Sequence, residues 1–232
     1  MSQKYRSVFI DLDDTLWDIA QNGKKCLEGI YRDYGFDKYY PSFEEYYGVY
    51  MPSNNHLWGL YRDGKIKKDE LIVERFLYPL REFGVTDPEY AIKISDDFLE
   101  RTTHETLLVD GALDLLDYLS PKYKLYILSN GFNEVQHKKI ENSGLKHYFD
   151  KVFLSEQAEI NKPHPDFFTY ALKNSNSARG KTVMIGDNWE ADIVGAYMSK
   201  IDQIWFNPEG LEPKEFEPTF TVRKLAQIKD IL

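Results

Sequence analysis

Short apolar runs recur along this chain, each followed by a stretch with helical spacing, and that alternation restricts the fold more than any other feature. The runs are Val8-Phe9-Ile10, Leu125-Tyr126-Ile127-Leu128, Val152-Phe153-Leu154, Thr182-Val183-Met184-Ile185 and Gln203-Ile204-Trp205-Phe206. They are apolar without a break rather than alternating, the pattern of strands covered on both faces. Between them, Ala112 to Leu119 carries apolar residues at 112, 113, 115, 116 and 119, and 134–143 ends at Gly144, a suitable C′ glycine. Pro165 to Asn174 starts with the proline that suits a first helical turn, and 190–199 completes the series. Strands alternating with helices predict an α/β fold, a doubly wound, Rossmann-like parallel sheet with helices on both sides.

Residues 17–105 break the rhythm. They lack a comparable strand run and are rich in tyrosine and tryptophan at helical spacing, among them Tyr31, Tyr34, Tyr46, Tyr50, Trp58 and Tyr61. This predicts an α-helical subdomain at 17–105, inserted into an α/β core formed by 1–16 and 106–232. Most of its aromatic side chains are expected to pack a core of their own.

The net charge of −9, from 29 basic and 38 acidic residues, argues against a nucleic-acid polymer as partner. A small phosphorylated metabolite is compatible with it, because a metal ion and a lysine suffice to make a locally positive pocket. Cys26 is the single cysteine, so a disulfide framework and a cysteine-based zinc site are excluded. No apolar stretch approaches the length of a membrane span, and the first residues do not have the form of a signal peptide. The expected address is the cytoplasm, as a monomer or a homodimer.

Four of the runs end in groups suited to chemistry: Asp11-Leu12-Asp13-Asp14-Thr15, Ser129-Asn130-Gly131, Lys162-Pro163, and Gly186-Asp187 with Asp192 beyond. In an open parallel sheet, ligands lie beyond the carboxyl ends of the strands, so these groups converge if the strands are neighbours. Asp11 and Asp13, two apart on an extended segment, face the same way. Carboxylates that close repel unless a cation or a proton intervenes, and Asp187 adds a third. A hard, oxygen-rich site of this kind suits Mg²⁺. Asp11 could then attack a phosphoryl group as an ionised nucleophile, with Asp13 protonating the leaving oxygen and later activating water. Ser129 and neighbouring backbone N–H groups could donate to the phosphoryl oxygens, while Lys162 neutralises one of them and keeps Asp11 ionised. Thr15 is expected to fix the turn and to bond Asp11, and Asp192 to orient Lys162 or a metal-bound water. No nucleotide-binding loop of the G-x-x-x-x-G-K-[ST] type is present, which makes water the simpler second reactant.

Taken together, Asp11-x-Asp13-x-Thr15, Ser129-Asn130-Gly131, Lys162-Pro163 and Gly186-Asp187-x-x-x-x-Asp192 resemble the four ordered motifs of the haloacid dehalogenase superfamily, with a helical insertion where that family places its type-1 cap. The resemblance implies a Mg²⁺-dependent aspartyl-phosphate mechanism. The metal ligands it implies are the Asp11 carboxylate, the Asp13 backbone carbonyl and Asp187; catalysis falls to Asp11, Asp13 and Lys162. It implies substrate contacts from Thr15, Ser129, Asn130 and Gly131. Dehalogenases proper lack the aspartate found here at Asp13, which favours a phosphatase. The stretch from Asn54 to Gly64, together with Ser129-Asn130-Gly131-Phe132 and Gly144-Leu145-x-x-Tyr148-Phe149-Asp150, is similar to the bacterial house-cleaning pyrimidine 5′-nucleotidases. That narrower likeness implies a nucleoside 5′-monophosphate as substrate, contacted by Asn55 or Trp58. Phosphatases of sugar phosphates or phosphoglycolate, a phosphomutase, and a non-catalytic binding protein are the alternatives.

Overall fold

The computed structural model describes residues 4–232. In chain order its elements are β1 (Ser7–Ile10), α1 (Ile19–Asp33), α2 (Phe43–Arg62), α3 (Lys68–Leu80), α4 (Pro88–His104), α5 (Ala112–Leu119), β2 (Lys124–Ser129), α6 (Asn133–Asn142), β3 (Lys151–Leu154), the short α7 (Ser155–Ala158), α8 (Pro165–Asn174), β4 (Thr182–Gly186), α9 (Gly195–Met198), β5 (Asp202–Phe206) and β6 (Phe220–Val222). They fall into two compact units: the chain up to Ile19 with Thr106–Leu232, and the intervening Ala20–Glu105.

The first unit is a parallel sheet in the order β3-β2-β1-β4-β5-β6. The central strand shows why it is covered on both sides. Val8 and Ile10 enter one apolar layer, with Leu115, Leu116 and Leu119 of α5 and Ile127, Ile185 and Ile204 of the sheet. Phe9, between them, enters the opposite layer with Phe167, Phe168 and Ala171 of α8. Both faces of β1 are therefore dry, as its unbroken apolar sequence requires. β6 is an additional strand that the sequence reading does not include. Its three residues, with Thr221 exposed, pair with β5 at the edge of the sheet.

The 190–199 segment is not one regular α-helix. Trp189–Val194 winds as a π-helical turn before α9 begins. Such turns are uncommon and concentrate at functional sites.

The second unit consists of α1 to α4. In α1 the buried residues are Asn22, Gly23, Cys26, Leu27 and Ile30, the three-and-four spacing of an amphipathic helix. Ser42 caps α2 by accepting from the Glu45 backbone N–H at 3.2 Å, and Asp87 caps α4 immediately before Pro88. The core of the unit is aromatic: the ring of Tyr46 lies 5.1 Å from Phe36, 5.6 Å from Tyr40 and 5.7 Å from Tyr50, which in turn meets Phe76 at 5.4 Å. Among the described residues, no helix is long and apolar enough to cross a membrane.

Candidate active site

The sheet register decides where the first acidic group emerges. Ile10 lies beside Ile127 of β2 and Ile185 of β4, so Asp11 leaves the carboxyl edge of the sheet between those strands, its backbone N–H donating to the Ile185 carbonyl at 2.9 Å. Strand order reverses here, with β2 and β3 to one side of β1 and β4 to β6 to the other, the position at which open α/β sheets bind their ligands. The chain then turns tightly. The backbone N–H groups of Leu16 and Trp17 both donate to the Leu12 carbonyl, and Asp14 adopts the left-handed conformation that Asp tolerates better than most residues.

Lys162 is buried at the centre of the cluster. Its Nζ donates to Asp11 Oδ1 at 2.6 Å, to Asp192 Oδ1 at 2.6 Å and to the Leu128 carbonyl at 2.7 Å, so all three ammonium protons are placed. Burial alone would lower its pKa, but the Asp11 and Asp192 carboxylates outweigh that and hold the ammonium above its ordinary value. Asn130 clamps the backbone of the same residue from both sides: its Nδ2 donates to the Lys162 carbonyl at 2.9 Å, and its Oδ1 accepts from the Lys162 N–H at 2.8 Å. The Asn130 amide, expected to contact substrate, is thus engaged with the loop that carries the lysine.

Asp192 is fully buried on the π-helical turn. Its second oxygen accepts from the Asn188 N–H at 3.1 Å, so it orients Lys162 while being held itself. Gly186 makes room for it; a Cβ there would lie 2.4 Å from the Asp192 carboxyl carbon. Thr15 behaves differently from expectation. Its hydroxyl donates to Asp187 Oδ1 at 2.7 Å and accepts from the Asp187 N–H at 3.1 Å, so it bonds Asp187 rather than Asp11. A threonine four residues beyond a strand-end aspartate reaches the neighbouring strand, β4, rather than its own. The Trp205 indole N–H steadies the same corner by donating to the Asp187 carbonyl at 2.9 Å.

Asp11, Asp187 and Asp192 each offer an oxygen within 4.8 Å of the others. Burial pushes Asp11 up to about 8, with Lys162 opposing and Asp192 and Asp13 adding to the rise. Burial likewise raises Asp187 well above its ordinary value, reinforced by Asp11 and Asp192. One ammonium does not balance these carboxylates, so the donor set fits a hard divalent cation that would complete the neutralisation. Asp192 already spends both oxygens on Lys162 and Asn188, which leaves Asp11 and Asp187 as the side chains suited to hold it.

The Asp13 carboxylate has separate partners. Its Oδ1 accepts from Lys139 Nζ at 2.8 Å and its Oδ2 from Gln136 Nε2 at 2.7 Å. Any contribution of Asp13 to a cation therefore falls to its backbone. Gln136 also donates to Ser129 Oγ at 2.7 Å, and the Gly131 N–H reaches that same oxygen at 3.0 Å. Sequence reasoning missed Gln136 and Lys139. A signal was available: both sit in the buried stripe of α6 with Val135 and Ile140, where polar residues are out of place without a partner. Asn55 lies on α2 in the helical unit, exposed.

Comparison with known proteins agrees with this architecture. The chain is 32% identical to the HAD-hydrolase YfnB of Bacillus subtilis (strain 168), with 99% of this chain and 96% of that protein aligned. It is 33% identical to the pyrimidine 5′-nucleotidase PynA of Streptococcus pneumoniae, covering 98% and 95%, and 29% identical to the pyrimidine 5′-nucleotidase YjjG of Escherichia coli (strain K12), covering 99% and 98%. The crystal structure of YfnB bound to magnesium superposes with a TM-score of 0.88 over 98% of each chain. The family profile of haloacid dehalogenase-like hydrolases matches residues 5–196, a span that takes in all four strand-end groups. With sequence, strand order and strand-end chemistry in agreement, the chain belongs to the haloacid dehalogenase-like hydrolases.

Proposed function

We propose that this protein is a Mg²⁺-dependent phosphomonoesterase that forms an aspartyl phosphate on Asp11, with pyrimidine nucleoside 5′-monophosphates as its substrate class. The observation that carries the reading is the buried Lys162 ammonium, 2.6 Å from both Asp11 and Asp192, within an acidic cluster. That arrangement sets a positive charge beside a buried carboxylate and opposes the rise that burial imposes on it, so that with a cation bound the carboxylate is ready to take a phosphoryl group.

The residues divide the work as follows. A carboxylate oxygen of Asp11 attacks phosphorus, and the ester P–O bond breaks. Asp13 gives its proton to the departing alkoxide, so the alcohol leaves neutral. Asp13 then takes a proton from water, whose oxygen attacks the phosphorus, and the P–O bond to Asp11 breaks to release inorganic phosphate. Lys162 balances charge on the phosphoryl oxygens, and the Ser129 hydroxyl donates to one of them. Mg²⁺, held by Asp11, the Asp13 backbone carbonyl and Asp187, supplies charge neutralisation when bound. Asp192, Asn130 and Thr15 hold Lys162 and Asp187 in place.

Support for the nucleotide preference comes from PynA and YjjG, which are pyrimidine 5′-nucleotidases by name and align over nearly the whole chain. The helical unit is proposed as the cap that selects the substrate, Asn55 being one candidate contact. The proposed setting is the cytosol, where the buried thiol of Cys26 stays reduced. A phosphate-release assay over a panel of UMP, dUMP, dTMP, purine monophosphates, sugar phosphates and phosphoglycolate, with Mg²⁺ and with Asp11→Asn as the blank, tests the reading. Preferential hydrolysis of pyrimidine monophosphates is expected. Faster turnover of a sugar phosphate would displace the substrate assignment, and no release from any ester would displace the phosphatase itself.

A further inference from the structure

Gln136 occupies a position that packing alone would give to an apolar residue. It is fully buried on the core-facing stripe of α6, and among the described residues its Oε1 has no hydrogen-bond partner. A buried amide with an orphaned carbonyl carries a cost, so its retention calls for an explanation in what the nitrogen does. Nε2 makes two short bonds, both of 2.7 Å, one to Asp13 Oδ2 and one to Ser129 Oγ, which uses both of its hydrogens. With Asp13 ionised this orientation is the favoured one, because the flipped group would set a carbonyl oxygen against the carboxylate.

The bond to Ser129 has a directional consequence. Ser129 Oγ also accepts from the Gly131 N–H at 3.0 Å, so both of its acceptor positions are filled. Its own proton is thereby committed to donation. Gly131 takes part through its lack of a side chain: a Cβ there would lie 2.3 Å from Gln136 Nε2 and 2.4 Å from Cδ. No left-handed backbone explains this glycine, whereas passage of the Gln136 side chain does. Lys139, one helical turn on, pins the other Asp13 oxygen at 2.8 Å while its ammonium lies 4.0 Å from the centre of the Trp17 ring.

We infer that Gln136 is a positioning residue for the reaction, one amide that turns the Ser129 hydroxyl into an obligate donor and fixes the Asp13 carboxylate beside it, with Gly131 as the space that admits it. The inference rests on the phosphomonoesterase reading above. It goes beyond that reading in assigning roles to residues outside the four strand-end motifs and a spatial reason for the glycine of the second.

The test compares wild type, Gln136→Met, Ser129→Ala and the double variant on UMP and on p-nitrophenyl phosphate, with melting temperatures measured alongside. Gln136→Met keeps the length and bulk of the side chain and removes the donor. On UMP its kcat is expected to fall about 10- to 100-fold with KM changed less than about threefold, the size of effect typical when a supporting contact is lost. Because one of the amide's two bonds acts through Ser129, adding Gln136→Met to Ser129→Ala should cost less than it costs alone, the remainder being the part that acts through Asp13. Nitrophenolate departs without a proton, so the loss through Asp13 should be smaller on p-nitrophenyl phosphate than on UMP. Gly131→Ala should reproduce the kcat loss by displacing the amide. An unchanged kcat in a folded Gln136→Met protein, or equal losses on both substrates that multiply fully with Ser129→Ala, would overturn the inference. A wild type that hydrolyses neither ester would instead overturn the phosphatase reading on which it stands.

Discussion

The two units of this chain bury charge in different company. In the α/β unit both buried ammonium groups are paired with carboxylates far away in sequence: Lys162 with Asp11 and Asp192, Lys139 with Asp13. In the helical unit the buried Arg75 lies over the ring of Phe98 at 4.6 Å, and among the described residues no carboxylate pairs with it. Its Nε, the Tyr46 hydroxyl and the Ser95 hydroxyl are all buried without hydrogen-bond partners. Precision in the first unit is electrostatic, because a charge left alone at low dielectric is costly and each partner fixes the next. Cohesion in the second comes from aromatic packing. The contrast suits one region that must hold reacting groups still and another that supplies shape.

Breaking the charge network should produce the largest effect. Lys162→Ala removes the cation between two buried carboxylates. It is expected to lower kcat by about 10³-fold and, in urea titrations, to lower stability by about 3–5 kcal/mol. An active and fully stable variant would show that the network is ornamental. A smaller, reversible effect should follow from pH. Without a cation, burial holds Asp11 up to about 8, above its ordinary range, so below that pH Mg²⁺ must displace a proton. The rise in melting temperature produced by Mg²⁺ should therefore grow from pH 6 to pH 8.5 and level off above. A rise that is independent of pH would place the ion elsewhere. The smallest effect should come from the helical unit. Tyr46→Phe deletes a fully buried hydroxyl that has no partner, so it should leave kcat unchanged and raise stability by about 1 kcal/mol. A loss of stability would mean that the hydroxyl is satisfied in solution and that the two units differ less than they appear to on packing.

The parts of the molecule legible in the sequence are those governed by short-range rules. The five principal strands announce themselves because both faces of each must be apolar, and α5 and α8 because their buried stripes have helical spacing. Asp11, Ser129 and Asp187 could be placed at strand ends without knowing the strand order. β6 escaped because three residues at an edge, one of them exposed, carry no distinctive pattern. The π-helical turn at Trp189 escaped because its sequence also suits an ordinary helix start. Thr15 and Asn130 were located, yet their partners depend on which strand or loop lies alongside, and that is a tertiary fact. Gln136 and Lys139 were overlooked because polar residue types were read as surface, although they share the buried stripe of α6 with Val135 and Ile140; what they pair with shows only once α6 lies beside Asp13.

The central claim is that Asp11 itself carries the phosphoryl group, and rapid acid quenching during turnover of UMP with Mg²⁺ tests it most directly. Peptide mass mapping of the quenched protein should find a phosphoryl adduct on the peptide bearing Asp11, absent in Asp11→Asn and chased away when substrate is exhausted. Phosphate release at the wild-type rate by Asp11→Asn, or an adduct that maps to another residue, would contradict the account.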